Sequence, residues 1–285
     1  MNVKNILLST RIYRTLPTLL IILVSSSFAG YINLDLLILA LASLLIYSAA
    51  GIQNAINDSD YSLDKNSRYV IYLFFILALI FSFYNKIILI TAILWIVLGL
   101  LYNTLARYIL LGDSTIIAIT HFALPSFSSS LLLGLDFQFS LKLSLFFFLI
   151  FWFIIPSKNI KDLKSDKKRG YKTLTTLFSN GILITTIFKE IFFIFVFLSY
   201  FILELTEKFL FFFLFIYIIR LFSDKIKNEQ ASLFLSRFLI ILFLFSIILD
   251  RILIKFNLQI IILASFICIL FLIFFFSSVF KKGDK

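Results

Sequence analysis

The sequence predicts an all-α polytopic membrane protein, and three observations carry that prediction. The 285 residues are 61% hydrophobic and 14% charged, with a mean hydropathy of +1.07, far from a soluble globular domain. Apolar stretches recur from end to end, each close to the roughly 20 residues a helix needs to cross about 30 Å of hydrocarbon. The 26 Lys and Arg residues collect between alternate pairs of these stretches instead of spreading evenly.

The stretches lie near 15–33, 36–54, 69–85, 87–103, 114–134, 140–156, 184–203, 207–223, 235–250 and 257–280. The first is followed by another membrane helix and not by a soluble domain, so it reads as a span, with no secretory signal evident. The second runs into a polar segment at 53–68, and the third and fourth are joined through Lys86. The fifth contains His121, after Thr120, and His121 is expected to bond to a neighbouring helix. The sixth opens onto the most basic loop of the chain, 158–174. The seventh is the least apolar at its start, where Lys189 and Glu190 fall. The eighth and ninth flank another basic loop, and the last carries Cys268 and the run Phe274–Phe276. Most of the 38 Phe residues are expected to face lipid or fill the core. No Pro- or Gly-rich linker separates a soluble part, so residues 1–285 read as a single integral-membrane domain.

Charge orients the bundle. Counting Arg220 and Arg237 with the loop they flank, 20 of the 26 Lys and Arg fall on the N-terminal tail, the loops after even-numbered spans and the C-terminal tail. The positive-inside rule then places both termini and those loops in the cytoplasm, where basic residues also meet anionic headgroups of a cell membrane. Topology thus accounts for the net charge of +11, and no nucleic-acid-binding motif accompanies it. One Cys excludes an internal disulfide and a Cys-based metal site, and one His excludes a His cluster.

Acid on the cytoplasmic side is clustered. The segment "QNAINDSDYSLDKNSR", residues 53–68, holds Asn54, Asn57, Asp58, Asp60 and Asp64. The segment "KNIKDLKSDKKRGYKTL", residues 158–174, holds Asn159, Asp162 and Asp166 among seven Lys and Arg. On a continuing helix Asn57, Asp60 and Asp64 fall within an arc of about 60°, and Asp162 and Asp166 are one turn apart on one face. Acids in a basic loop can simply be solvated and offset local repulsion. Two clusters at the ends of even spans, four spans apart, favour a shared site and two similar halves around a central cavity. Rows of carboxylates repel unless cations pair with them. Mg²⁺, which takes oxygen ligands and bridges to substrate phosphates, suits such rows, and surrounding Lys and Arg suit the phosphate oxygens left over.

These residues resemble the UbiA superfamily of intramembrane prenyltransferases. The second segment is similar to the family's Lys-Asp-x-x-Asp-x-x-x-Asp-x-x-x-Gly-x-x-Thr-Leu, reading Lys158-Asn159-x-x-Asp162-x-x-x-Asp166-x-x-x-Gly170-x-x-Thr173-Leu174, with only the first Asp changed. The first segment departs from Asn-Asp-x-x-Asp-x-x-x-Asp: Asn57-Asp58-Ser59-Asp60 is one residue short, Asp60 and Asp64 keep their spacing, and the Arg-Pro that commonly follows is reduced to Arg68. The middle ligand is therefore Asp58 or Asp60. "LYNTLARYILLGD", residues 101–113, resembles the family's Tyr, basic residue and Gly-Asn/Asp before the fifth helix.

The resemblance implies a bundle of nine to ten transmembrane helices and Mg²⁺-dependent transfer of a prenyl group from an allylic prenyl diphosphate to a lipophilic acceptor. It implies Asn57, Asp58, Asp60, Asp64, Asn159, Asp162 and Asp166 as metal ligands, with Asp60, Asp64, Asp162 and Asp166 central to catalysis. Arg68, Arg107 and Lys172 would bind the diphosphate, and Tyr102 would face it and the allylic cation. Lys164, Lys167 and Lys168 read as surface charges. Arg107 and Lys172 also fit plain cytoplasmic anchors. Glyceryl-lipid phosphates, aromatic quinone precursors, tetrapyrroles and polyprenyl-linked sugars are all acceptors in the family; the second segment leans slightly to the branch with geranylgeranylglyceryl-phosphate transferases and homogentisate or chlorophyll enzymes. A transporter, or another membrane enzyme acting on a lipid diphosphate, is the rival reading. Transporter acids, however, are expected near the bilayer midplane.

Overall fold

Every apolar stretch is helical, and the chain is all-α throughout the residues described. The structure, a computed structural model, describes residues 3–58, 63, 67–223 and 229–280. A short α1 (Val3–Ser9) precedes α2 (Leu16–Ala29), α3 (Leu34–Asp58), α4 (Ser67–Ser82) and α5 (Lys86–Thr104). Then come α6 (Gly112–Ala118), α7 (Leu124–Leu132), α8 (Phe137–Ile154), α9 (Asn159–Arg169) and α10 (Leu174–Leu177). The last four are α11 (Gly181–Ile202), α12 (Lys208–Ser223), α13 (Glu229–Ile252) and α14 (Leu258–Phe280).

Six segments among the described residues are long and apolar enough to cross a membrane: Asn5–Ala29, Leu34–Asn57, Lys86–Thr104, Gly112–Leu132, Phe137–Lys158 and Gly181–Ile202. Ser67–Ser82 and Leu258–Ile273 are apolar but shorter. On α5 the outer face exposes Ile90, Ile93, Leu94, Val97, Leu100 and Leu101, a surface that requires lipid to cover it. The chain is an integral membrane protein.

Two cores share α2. One is built from α2, α8, α11, α13 and α14 around Phe147, Phe151, Phe192 and Phe243; the other from α2, α3, α5 and α7 around Trp95, Leu36 and Leu39. Because lipid tails are as apolar as Leu, helices in a bilayer associate through close packing and hydroxyl bonds. The α2–α7 seam follows that rule. Ser129 donates to Ser25 Oγ at 2.8 Å, Ser130 donates to it at 3.1 Å, and Thr91 of α5 meets Ser128 at 2.6 Å.

Two features depart from a simple reading of the spans. The fifth stretch is not one helix: α6 and α7 are joined by a π-helical turn, Ile119–Ala123. Leu124 N–H bonds the Ile119 carbonyl, five residues back, so the next bond would run from Pro125, which has no N–H. The Thr120 carbonyl left over accepts from Trp95 Nε1 at 2.8 Å and Tyr47 Oη at 2.5 Å. The second feature is the charged start of the seventh stretch. Glu190 pairs with Arg220 of α12, whose guanidinium lies 5.3 Å from the rings of both Phe193 and Tyr217. An intramembrane acid is tolerated when a cation meets it inside the bundle.

Helix direction positions the site. The C-terminal ends of α3, α5 and α8 and the N-terminal end of α6 converge on one side of the bundle, where the turn that follows α9 meets Arg107.

Candidate functional site

Arg107 is the hub of that side. It sits on a single 3₁₀ turn, Ala106–Tyr108, between α5 and α6. The turn is held tight because α6 begins at Gly112, where an added Cβ would stand 2.5 Å from the Ala106 carbonyl oxygen. Arg107 is 8% exposed. Its guanidinium donates to Asn54 Oδ1 at the end of α3 and to Tyr171 Oη at 2.9 Å. It also lies 4.8 Å from the Tyr102 ring and 5.1 Å from the Tyr171 ring. Its carbonyl accepts from Lys172 N at 2.9 Å. One buried side chain therefore joins the polar segments after α3, α5 and α8.

A second, half-buried cation stands beside it. Lys158, which ends the 3₁₀ turn after α8, pairs with Asp113 Oδ2 at 3.1 Å and lies 5.8 Å from the Tyr102 ring. Asp113 is fixed in turn: Ser114 N donates to its Oδ1 at 2.7 Å and Ser114 Oγ at 3.2 Å. The Tyr102 ring is thus flanked by two cations, each with the geometry of a cation–π contact.

The second acidic segment folds as the spacing predicts. Asn159–Arg169 is helical, so positions 162 and 166 are one turn apart. Gly170, at φ 72°, closes the helix in a Schellman turn, with Gly170 N bonding Lys167 O at 3.3 Å and Tyr171 N bonding Asp166 O at 3.0 Å. That turn sends Tyr171 back to Arg107. Thr173 and Thr176 then form a capping box at the start of α10. Asn159 and Asp166 are both buried, and Thr175 Oγ1 donates to the Asn159 carbonyl at 3.3 Å.

The remaining sequence-predicted residues divide. Arg107, Tyr102, Asn159 and Asp166 are buried or half-buried on this side, whereas Arg68, Lys172 and Asn57 are exposed. Lys172 reaches the hub through its backbone. Lys164, Lys167 and Lys168 are exposed and line an open groove of about 740 Å³ with Thr175–Ser179. Asp58 and Asp162 belong to α3 and α9, but their side chains lie outside the described residues; Asp60 and Asp64 lie outside altogether. Among the described residues no three of His, Cys, Asp and Glu converge. What this part supplies is two cations, amide oxygens and two buried carboxylates, Asp113, which is paired with Lys158, and Asp166.

Sequence reasoning placed Asn54 in the first polar segment and Lys158 and Asp113 at positions of the family-like motifs without giving any of them a role, and it gave none to Tyr171. Nothing in linear spacing pairs Asp113 with Lys158, 45 residues apart. His121 meets Thr120 Oγ1 at 3.0 Å through Nδ1, and its ring lies 4.3 Å from that of Tyr47 on α3.

Comparison with known proteins adds the family. A model of the UbiA prenyltransferase family matches residues 59–225. A solved structure of digeranylgeranylglyceryl phosphate synthase is similar at 19% identity and TM-score 0.63, over 88% of this chain and 98% of that one. The apo structure of a UbiA homologue from Aeropyrum pernix K1 aligns at 14% identity and TM-score 0.64, over 87% and 99%. A UbiA homologue from Archaeoglobus fulgidus, bound to DMAPP and Mg²⁺, aligns at 13% identity and TM-score 0.57, over 96% and 98%. No curated protein matches the sequence. The solved structures share the fold over 87–96% of this chain and 98–99% of theirs.

Proposed function

The chain belongs to the UbiA prenyltransferase family, and from that premise we propose that it transfers a prenyl group from an allylic prenyl diphosphate to a lipophilic acceptor, releasing diphosphate. The observation that carries this reading is the Arg107 hub. A buried guanidinium ties the end of α3 to the loop after α8, and these are the segments that hold the two acidic rows. Cations and acids gathered at one end of a bundle suit a diphosphate better than either does alone.

The acidic rows, Asp58, Asp60 and Asp64 with Asn57 on one side and Asp162 and Asp166 with Asn159 on the other, would hold Mg²⁺. Their donors are all oxygen, which suits a hard cation; the A. fulgidus homologue was solved with Mg²⁺. Bound there, the metal would neutralise charge on the leaving diphosphate. Arg107 and Lys158 supply fixed positive charge where that anion departs, in a site already organised by Asn54, Tyr171 and Asp113. Arg68 and Lys172, being exposed, suit capture of the diphosphate from solvent. Tyr102, with both cations over its ring, helps to hold them in place beside the diphosphate. The apolar walls between the helices exclude water that would quench an allylic cation.

The acceptor belongs to the lipophilic classes of the family, and the fold shared with a digeranylgeranylglyceryl phosphate synthase supports a glyceryl-lipid phosphate among them. A bundle of nine to ten spans is supported by the apolar stretches, its two similar halves by the four-span separation of the acidic loops, and the placement of both loops and both termini on the cytoplasmic side of a cell membrane by the distribution of Lys and Arg. The test is incubation of purified membranes with prenyl diphosphates of several lengths and a panel of acceptors, with products identified by mass. A prenylated acceptor that forms with Mg²⁺ or Mn²⁺ and stops with chelator is expected. Full activity after exhaustive chelation overturns the metal assignment, and no product with any pair overturns the reaction.

A further inference from the structure

Glycine in the middle of a helix needs a reason, because Ala is the better helix former. For most helical glycines here the reason is packing. A Cβ on Gly51 would stand 2.5 Å from the Thr10 carbonyl, one on Gly112 2.5 Å from that of Ala106, and one on Gly181 2.2 Å from that of Leu174. Gly99 has no such reason. It lies inside α5, and a Cβ there meets nothing within 4 Å.

That space is not on the lipid side. At 100° per residue Gly99 falls about 20° from Ile88, within the arc set by the buried Ile88, Thr91, Ala92 and Trp95. The exposed Val97, Leu100 and Leu101 point the other way. Gly99 therefore opens an interior space between Trp95, four residues before it, and Tyr102, three after.

The neighbouring walls repeat the pattern. On α3, Ala50 lies between Tyr47 and Asn54; on α6 and the π turn, Ile117 lies between His121 and Asp113. The upper layer, Asn54, Tyr102 and Asp113, carries the cations Arg107 and Lys158. The lower layer is closed by rings. Tyr47 is 5.9 Å from Trp95 and 4.3 Å from His121, and Tyr47 and Trp95 both bond the Thr120 carbonyl. Seven residues separate the layers on α3 and on α5, which is about 10 Å at 1.5 Å per residue.

The geometry points to Gly99 as the residue that admits the carbon chain of the donor beyond its first isoprenoid unit, with Tyr47, Trp95 and His121 as the floor that limits it. This rests on the prenyl-transfer reading above. Gly99 stands about 4.5 Å below Tyr102 along α5, so a dimethylallyl group attached to a diphosphate held by Arg107 and Lys158 ends near its level. A geranyl chain passes it. Gly99 thus sets specificity for donor length and leaves the diphosphate site untouched.

The test is binding in place of turnover. The full chain in detergent with Mg²⁺ is titrated with inorganic diphosphate and with the dimethylallyl and geranyl thiolodiphosphates, for wild type and for Gly99→Ala, Gly99→Val and Gly99→Leu. Overpacking predicts that Gly99→Leu weakens the geranyl analogue at least ~10-fold while the dimethylallyl analogue and inorganic diphosphate change less than about threefold, with Ala and Val between. Equal loss for both analogues with inorganic diphosphate retained, or no loss for either, overturns the inference while the reaction stands. A wild type that binds inorganic diphosphate but gains nothing from the geranyl chain also overturns it. A wild type that binds none of the three overturns the prenyl-transfer reading and the inference with it. If Gly99→Leu loses inorganic diphosphate too, the Ala and Val ratios decide by the same rule.

Discussion

Arg107 does two jobs that point mutations can separate. Its guanidinium bonds Asn54 and Tyr171 and lies against Tyr102, so it is both a positioned cation and a clasp between segments. Arg107→Lys keeps charge but loses the fork that reaches two partners at once. Arg107→Ala is expected to lower kcat/KM at least ~100-fold, about 3 kcal/mol of transition-state stabilisation, and Arg107→Lys to recover only part of it. A lysine variant with wild-type kcat/KM contradicts the clasp. Asp113 carries a different expectation. Removing one member of a buried ion pair strands the other; here Lys158 keeps 27% of its side chain exposed, which softens the penalty. Asp113→Asn should cost about 2 kcal/mol of stability, read as a lower midpoint of thermal inactivation in detergent. An unchanged midpoint shows that Lys158 does not depend on the pair.

At the scale of elements, the shortened first segment makes the sharpest prediction. The helix α3 runs through Asp58, so Asn57 and Asp58 stand about 100° apart on it, and Asp58 cannot join an Asn57–Asp60–Asp64 row that continues the same helix. Asp60→Ala, Asp64→Ala, Asp162→Ala and Asp166→Ala are each expected to slow turnover at least ~100-fold, and Asp58→Ala much less. Loss of activity in Asp58→Ala with Asp60→Ala tolerated shows that the helix ends at Asp58 and that Asp58 is the ligand. The helix α9 was legible from sequence because its signals are local: acids one turn apart, then Gly170 in the place a Schellman turn requires. The break between α6 and α7 was not legible. Pro125 marks a weak point, but the acceptor it orphans, the Thr120 carbonyl, is satisfied by Trp95 and Tyr47 from two other helices. The same holds for Glu190, whose charge made α11 look weak until Arg220 was placed beside it.

At the scale of the whole molecule, hydropathy and basic residues fix the class and the expected orientation, because in a bilayer those two quantities decide which segments cross and which loops stay. What they do not carry is convergence. Asn54, Tyr102, Arg107, Asp113, Lys158 and Tyr171 come from three separate segments, 53–68, 101–113 and 158–174, which meet only because the ends of α3, α5, α6 and α8 share one side. Sidedness is tested by cysteine labelling at Ser62 and Ser165 in a variant lacking Cys268; both sites should react from the cytoplasmic side, and labelling from opposite sides dissolves the shared site. The central claim is that the two acidic rows act together on one diphosphate. It is tested most directly by the rate of prenyl transfer, followed by product mass, in the Asp64→Ala and Asp166→Ala variants measured side by side with Mg²⁺ present. Each substitution alone should reduce the rate at least ~100-fold; normal turnover in both variants contradicts the assignment of this site as the seat of the reaction.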